Sequence, residues 1–335
     1  MNTKLYTGNS STQNITGLDF QPDWVWIKSR TSTHNNQTFD VLKGVQKSVV
    51  VNEAAVEITM TNGLTAFGTD GFTVGSDDQV NNSSQNYCSW NWKANGTGSA
   101  NTDGDVTSTV SANTTSGFSI VKWDSTGTAG INIGHGLGQK PAMIIAKSTN
   151  ISSTSWPVYH QSLGATKYLS LQATTASTTS ATRWNNSEPT TTTFQTGSSG
   201  DIGGSDRTMI AYCFAEKPGY SKMGSYTGNG SSDGAMIYTG FKPAWVMIKR
   251  TDNAGNYWHI YDNKRSSSGG SNIIDDVLYP NRSDAEYSGD KLDIISNGIK
   301  FRSGNGDINA SGGTYIYMAF GQSIVGSNNV PATAR

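Results

Sequence analysis

The chain has 335 residues with 24 Lys or Arg and 25 Asp or Glu, so its formal net charge is −1. Near neutrality argues against a nucleic-acid partner or an anionic lipid surface, and no apolar run reaches the ~18–20 residues that a membrane-spanning helix needs. Only 15% of the residues are charged and 38 are glycine, a composition that disfavours helices and favours short strands joined by tight turns.

The first element that recurs along the chain is a short tyrosine–glycine motif. The chain begins MNTKLYTGNSS, which has no apolar core and predicts no secretory signal. Its YTGNSS stretch, from Tyr6, returns as YTGNGSS from Tyr226, and FSIVKWDSTG from Phe118 takes its place between them. A recurrence of this kind is typical of tandem repeats.

The second recurring element is an apolar strand placed just after a proline. It reads ITGLDFQPDWVWIK from Ile15, IGHGLGQKPAMIIAK from Ile133 and IYTGFKPAWVMIK from Ile237. Each copy has a glycine, a proline, an apolar run and a final lysine. The runs are short and rich in aromatic and β-branched residues, which predicts β-strands.

Both faces of this strand are apolar in every copy. In WVWIK the two tryptophans point to one face and the two aliphatic residues to the other. A strand with one solvated face would alternate apolar and polar residues, so we expect a sandwich core on one face and a loop, a neighbouring repeat or another subunit on the other. The position of Trp26 becomes Ile145 and Met247, which favours packing over a flat sugar-binding platform.

The third recurring element closes each copy. It reads YCSWNWKA from Tyr87, MIAYCFAE from Met209 and YIYMAFGQ from Tyr315. Together with the apolar strands it gives a predicted structural core of the repeats, with no cofactor-binding role, that comprises Trp24, Trp26, Trp92, Met143, Ile145, Phe214, Trp245, Met247 and Phe320.

This order of elements predicts an all-β chain of three tandem antiparallel β-sandwich repeats, jelly-roll-like and of roughly 100–110 residues each. The predicted repeats span residues 1–98, 117–219 and 220–325. Residues 99–116 are interpreted as a polar linker or as an edge strand with turns. Residues 326–335 are predicted to form an extended tail.

The residues with catalytic or metal-binding potential are few. Cys88 and Cys213 both lie in apolar strands, which predicts two buried thiols rather than a disulfide framework. Four histidines lie in no metal-ligand spacing and are predicted to be structural; they are His34, His135, His160 and His259.

Other candidate motifs also favour a structural interpretation. GSSDG from Gly230 matches the nucleophile-elbow pattern, but no helix is predicted after it, so we interpret it as a hairpin turn. The aspartates at 77, 78, 103 and 105 could bind calcium but lack the ligand count of a known loop. The sequence leaves open a pair of carboxylates that act as glycosidase acid and base. No catalytic, metal or cofactor residue is predicted.

Several separated motifs resemble a family. YTGNGSS, FxPxWVxIKR, WPVYHQSLGATKYLSL, NASGGTYIYMAF and SNNVPATAR are similar to a tandem-repeat domain of unknown function in tail-fibre-like and other structural proteins of tailed bacteriophages, many of them marine. The resemblance covers nearly the whole chain. It implies a β-rich component of the virion surface, on tail or head, assembled in the cytoplasm of the host bacterium, and it carries no catalytic residues.

The predicted function is therefore that of a non-enzymatic virion structural protein exposed on the particle. A tail-fibre or adhesin role in host attachment is favoured by the family. A capsid decoration (cement) or head-fibre role is the alternative, favoured because no separate anchoring module precedes the first repeat. A polysaccharide depolymerase is the third. Expected partners are other copies in a homotrimer, by analogy with phage fibres, other tail or capsid proteins, and host surface glycans.

Overall fold

The structure, a computed structural model, describes residues 1–266 and 272–321. Residues 322–325, at the end of the third predicted repeat, and the predicted tail 326–335 lie outside the described residues. Within the described part the strands pair in antiparallel sheets and the helices are single turns of four residues. The prediction of an all-β antiparallel fold is confirmed.

The first segment, residues 2–92, is called unit 1. Its elements in chain order are β1 Asn2–Thr7, β2 Gln13–Thr16, β3 Trp24–Ser29, β4 Gln37–Asp40, β5 Lys47–Val50, β6 Ile58–Thr59, β7 Leu64–Gly68, β8 Gly71–Val74, α1 Asp78–Asn81 and β9 Asn86–Trp92. The larger sheet has the order β1-β9-β3-β4-β5-β6, and a smaller sheet, β2-β8-β7, packs against it.

Residues 99–214 are called unit 2. Its elements are β10 Ser99–Asn101, β11 Ser108–Asn113, β12 Phe118–Ser125, β13 Ile131–Gly134, β14 Met143–Ser148, β15 Pro157–His160, β16 Lys167–Ser170, β17 Thr178–Thr179, α2 Ala181–Trp184, β18 Thr193–Thr196 and β19 Arg207–Phe214. The larger sheet runs β10-β11-β12-β19-β14-β15-β16-β17, and the smaller sheet is the pair β13-β18.

Residues 221–321, without the undescribed 267–271, are called unit 3. Its elements are β20 Ser221–Thr227, β21 Met236–Tyr238, β22 Pro243–Arg250, β23 His259–Asp262, β24 Ile273–Val277, β25 Tyr287–Ile295, β26 Gly298–Phe301, α3 Gly306–Asn309 and β27 Thr314–Gly321. One sheet runs β20-β27-β22-β23 and the other β21-β26-β25-β24.

The three units share one pairing scheme. In each, the last strand lies between the first long strand and the strand of the apolar motif, as in β1-β9-β3, β12-β19-β14 and β20-β27-β22. The register is shared as well, because the first apolar residue of the motif strand lies opposite the aromatic residue of the closing motif. These pairs are Trp24↔Trp92, Met143↔Phe214 and Trp245↔Phe320.

The YTGN stretch has a local structural role in units 1 and 3. The amide of buried Asn81 accepts a hydrogen bond from Asn9 N at 2.9 Å and donates to Gly75 O at 2.6 Å. Asn309 repeats this with Asn229 at 3.0 Å. A Cβ on Gly8 would lie 2.2 Å from Asn82 O, so only glycine fits there.

Residues 99–116 are interpreted from their composition as a polar linker or as an edge strand with turns, and the structure shows the edge strand. They form β10 and β11, and β11 pairs with β12 through Val110↔Val121, so the segment is an edge of the second sheet rather than a polar linker. The buried hydroxyls make this possible, because Ser108 Oγ donates to Gly134 O at 3.0 Å and Ser111 Oγ accepts from Asn95 N at 2.8 Å.

Each unit has its own core between its two sheets, and a fourth core joins all three. Val25 and Ile27 face the core of unit 1, whereas Trp24 and Trp26, on the opposite face of β3, lie in the shared core. All nine residues proposed as the repeat core are buried, and all nine lie in this shared cluster. The second apolar face of each motif strand is therefore covered by the neighbouring units.

Candidate functional site

The centre of the shared core is a triangle of aromatic rings, one from each unit. Trp92 and Phe214 have centroids 6.3 Å apart, Trp92 and Phe320 5.9 Å, and Phe214 and Phe320 5.9 Å. These are the corresponding residues of the three closing motifs. Because these three equivalent residues contact one another, the three units are arranged around a common centre.

Backbone hydrogen bonds close the three units into a ring. Each unit has one residue whose backbone N–H donates to a carbonyl oxygen just after the apolar motif strand of the next unit. Unit 1 bonds in this way to unit 2, unit 2 to unit 3, and unit 3 to unit 1. The bonds are Glu57 N to Thr149 O at 2.7 Å, Ser177 N to Thr251 O at 2.9 Å and Glu286 N to Arg30 O at 2.8 Å.

A second set of bonds explains the tryptophan pair of unit 1. The indole of Trp156 donates to Val50 O, and that of Trp258 donates to Ser170 O, both at 3.1 Å. Unit 1 has Asn36 at this position, and its amide donates to Tyr279 O at 3.0 Å. Trp26 donates in turn to Asn36 Oδ1 at 2.9 Å. The additional indole of Trp26 on β3 thus offsets the smaller side chain of Asn36 just before β4.

The ring has an open polar cleft between units 2 and 3, with a volume of about 480 Å³. Its walls come from the turn between β15 and β16, the residue before β17, and the ends of β20, β22 and β27. Among its lining residues are Ser162, Lys167, Ser177, Thr227, Asp252 and Thr314.

At the cleft a short side chain stands at a position that holds a glutamate at the other two interfaces. Ser177 occupies the position of Glu57 and Glu286, as the ring of backbone bonds shows. At the interface of units 3 and 1, Glu286 fills the space by an ion pair with Arg30, at 2.6 Å. Thr251 is the equivalent of Arg30 here, as Thr149 is at the interface of units 1 and 2.

A further difference lies on the first long strand. Ser225, opposite Ile316, lines the cleft, whereas the equivalent residue of unit 2 is Lys122, opposite Ile210. The ammonium group of Lys122 reaches the carbonyl oxygen of Leu42 in unit 1, at 3.5 Å. Substitution of long by short side chains thus leaves the third interface open.

The cysteines and two of the histidines are part of the packing. Cys88 and Cys213 are buried free thiols, as predicted, and burial raises the pKa of both. His160 is fully buried; its Nδ1 accepts from Ser162 N and its Nε2 donates to Tyr317 O, both at 3.2 Å. Desolvation lowers the pKa of His160 to about 4, and that of buried His135 to about 4.

The other candidate motifs lie away from the cleft. GSSDG connects β20 and β21, which belong to different sheets, so it is not a hairpin turn. Asp77 caps α1 by accepting from Gln79 N at 2.9 Å. Among the described residues no group of three His, Cys, Asp or Glu side chains is arranged to hold a metal ion. No described helix is long and apolar enough to cross a membrane.

The final lysine of each apolar motif is buried beside the shared core. Lys28, Lys147 and Lys249 have no exposed surface. Desolvation lowers the pKa of Lys28 to about 7 and that of Lys147 and Lys249 to about 8. Lys147 is held by Thr154, whose carbonyl and hydroxyl oxygens lie 2.6 and 2.7 Å from Nζ.

Lys147→Met should flatten the dependence of stability on pH. The pKa of Lys147 is about 8 in the fold and 10.5 when solvated, so between these values the unfolded chain binds more protons and stability rises with pH. We expect the increase in the free energy of unfolding over this pH range to be smaller in the variant by up to about 3 kcal/mol. The measurement is urea denaturation at intervals from pH 7 to 10. The exposed Lys140→Met is the control, and an unchanged rise in Lys147→Met would contradict the prediction.

Comparison with known proteins gives a single family. The domain of unknown function DUF7483 matches residues 1–323, and thus spans all three units. No curated protein and no solved structure matches the chain.

Proposed function

The chain belongs to the DUF7483 family, and we propose that it is a non-enzymatic structural protein exposed on a bacteriophage particle, of the tail-fibre or adhesin type. The observation that carries this proposal is the closed ring of three units, a body with a shared core that presents an open polar cleft. Such a body suits a protein that acts by contact rather than by chemistry. The similarity of its motifs to phage structural repeats supports the virion as its location.

The way the reactive side chains are used also supports a structural role. Both cysteines and the histidines at 135 and 160 are buried in cores, and the two histidines bond to backbone groups. Burial raises the pKa of the thiols, which disfavours the thiolate that a nucleophile needs. Recognition by contact through exposed polar side chains of the surface fits this arrangement.

Partners and location follow from this proposal. The protein would lie on the particle surface, bound to other tail or capsid proteins, with host glycans as its external ligand. Three similar units in one chain already supply a threefold arrangement, and a homotrimer of such chains remains part of the proposal for a fibre.

A capsid decoration protein is the second candidate, and the ring geometry favours it specifically. A body built of three similar units around a common centre matches the local threefold positions of an icosahedral lattice. On that site each unit would contact one neighbouring capsid subunit in the same way. The protein would then stabilise the head.

Counting copies on purified particles tests both candidates. We expect quantitative mass spectrometry to give a small multiple of six per particle for a tail fibre, and on the order of hundreds for decoration. Gold-labelled antibody in electron micrographs should mark the tail in the first case and the head in the second. Absence of the protein from the particle would contradict both.

A depolymerase is tested separately. Host polysaccharide incubated with the purified protein should give no new reducing ends. Released oligosaccharides would overturn the non-enzymatic proposal.

A further inference from the structure

We propose that the cleft between units 2 and 3 binds an acidic sugar, with the sugar carboxylate held by Lys167. The inference rests on the proposed contact with host glycans and names the class of glycan. It comes from comparing the cleft with the equivalent place at the interface of units 1 and 2.

Unit 1 shows what the lysine at this position pairs with. Lys47 begins β5 opposite Thr59 of β6, and its Nζ lies 3.8 Å from Glu57 Oε1 and 2.8 Å from Thr59 Oγ1. Glu57 is the residue whose amide donates to unit 2 in the ring. The position therefore combines a lysine with a carboxylate at the edge of the interface.

Unit 2 keeps the lysine and loses the carboxylate. Lys167 begins β16 opposite Thr179 of β17, as Lys47 lies opposite Thr59. Ser177 replaces the glutamate and uses its hydroxyl to donate to Thr251 O at 2.9 Å. Among the described residues no carboxylate lies within ion-pair distance of Lys167.

The other charges around the cleft compensate each other. Asp252 lines the cleft, but Arg250 Nε already donates to its Oδ1 at 2.8 Å. The ammonium group of Lys167 is thus an exposed cation, whereas the equivalent lysine of unit 1, Lys47, forms an ion pair. A ligand carboxylate would occupy the place that the Glu57 carboxylate has in unit 1.

The rest of the lining favours a sugar over an acidic peptide. Ser162, Thr227 and Thr314 are exposed at the walls, and their hydroxyls can both donate to and accept from sugar hydroxyls. Tyr226 takes no part in this, because its hydroxyl donates to Ile308 O at 2.6 Å and its ring stacks on that of Tyr315 with centroids 4.8 Å apart. The volume lies within the range of about 300–1,000 Å³ of small-ligand sites.

The experiment is a calorimetric titration of the full chain with defined oligosaccharides. The acidic probes are tetrasaccharides containing glucuronate, galacturonate, mannuronate or sialate, and the neutral probe is the N-acetylglucosamine tetramer. We expect at least one acidic probe to bind and the neutral one not to. Lys167→Gln should weaken binding about tenfold to a hundredfold, because a hydrogen bond to a charged group is lost.

Two further variants separate recognition from folding. Ser177→Glu recreates the pair of unit 1 inside the cleft and should abolish binding while the melting temperature stays within a few degrees of the parent. Lys47→Gln removes the equivalent lysine from unit 1, where Glu57 already occupies the site, and should bind as the parent does.

Three results would overturn the proposal. They are the absence of binding by every acidic probe, equal binding by Lys167→Gln, and preferential binding of a glutamate octapeptide, which would indicate a protein ligand. Each leaves the particle location unaffected, since that is decided by copy number and gold labelling. Conversely, binding of an acidic sugar by a protein absent from the particle would refute only the virion role.

Discussion

Trp92→Ala is expected to lower the free energy of unfolding by about 3–5 kcal/mol, the usual cost of removing a large buried aromatic side chain. Trp92 is 1% exposed, and its ring contacts the rings of Trp24, Phe214, Trp245 and Phe320. A cavity at this point removes contacts with all three units. Collapse of the surroundings is restricted because the neighbouring rings are held by the sheets of three different units.

The shared core also predicts where the variant loses protection. We expect faster amide hydrogen exchange in all three units of Trp92→Ala, together with one cooperative urea transition at lower concentration. Trp184→Ala is the matched control, because Trp184 is equally buried but belongs to the separate core of unit 2. Its exchange should rise mainly within unit 2. Exchange confined to unit 1 in Trp92→Ala would contradict the shared core.

The sequence is sufficient to predict the strands and the burial of their two faces. Alternation along a strand is a local property, so the two apolar faces of WVWIK and its copies indicate double coverage without knowledge of the partner. The correspondence of Trp92, Phe214 and Phe320 also follows from their motifs. Their direct contact does not, because repeats of this kind can stack in a line as well as close into a ring.

The compensation between Trp26 and Asn36 had a sequence signal. Trp156 and Trp258 both precede the strand after the apolar motif, and the equivalent residue of unit 1 is Asn36. A missing tryptophan at that position, together with an additional one at Trp26, indicates a paired substitution. Only the structure shows that both indoles of the other units donate to a neighbouring unit.

The cleft could not be predicted from any one motif. Its lining residues come from two units and from five separate strand ends, and none is unusual by itself. The signal lies in a comparison of copies, where Ser177 stands for Glu57 while Lys167 keeps the place of Lys47. The alignment of these weakly similar stretches depends on strand register, which is fixed by long-range pairing.

Asp262→Ala is expected to cost about 3–5 kcal/mol of unfolding free energy, because it removes the nearer of the two carboxylates that pair with a buried guanidinium group. Asp262 and Arg265 are both buried, and Arg265 Nε donates to Asp262 Oδ2 at 2.6 Å. The same oxygen accepts from Trp90 Nε1 of unit 1 at 3.0 Å, so the carboxylate also joins units 1 and 3. Without the Asp262 carboxylate, the Arg265 guanidinium group has one carboxylate partner left, Glu286, at 2.8 Å.

Urea denaturation at pH 7 measures this loss, and two variants test its cause. Asp252→Ala removes an exposed carboxylate paired with Arg250 at 2.8 Å, and should cost less than about 1 kcal/mol because solvent screens that pair. Asp262→Ala combined with Arg265→Met should recover most of the stability, because it removes the buried guanidinium group along with the carboxylate. If the double variant is as unstable as Asp262→Ala alone, the loss comes from the Trp90 contact, and the carboxylate acts through the bond between units rather than through the buried ion pair.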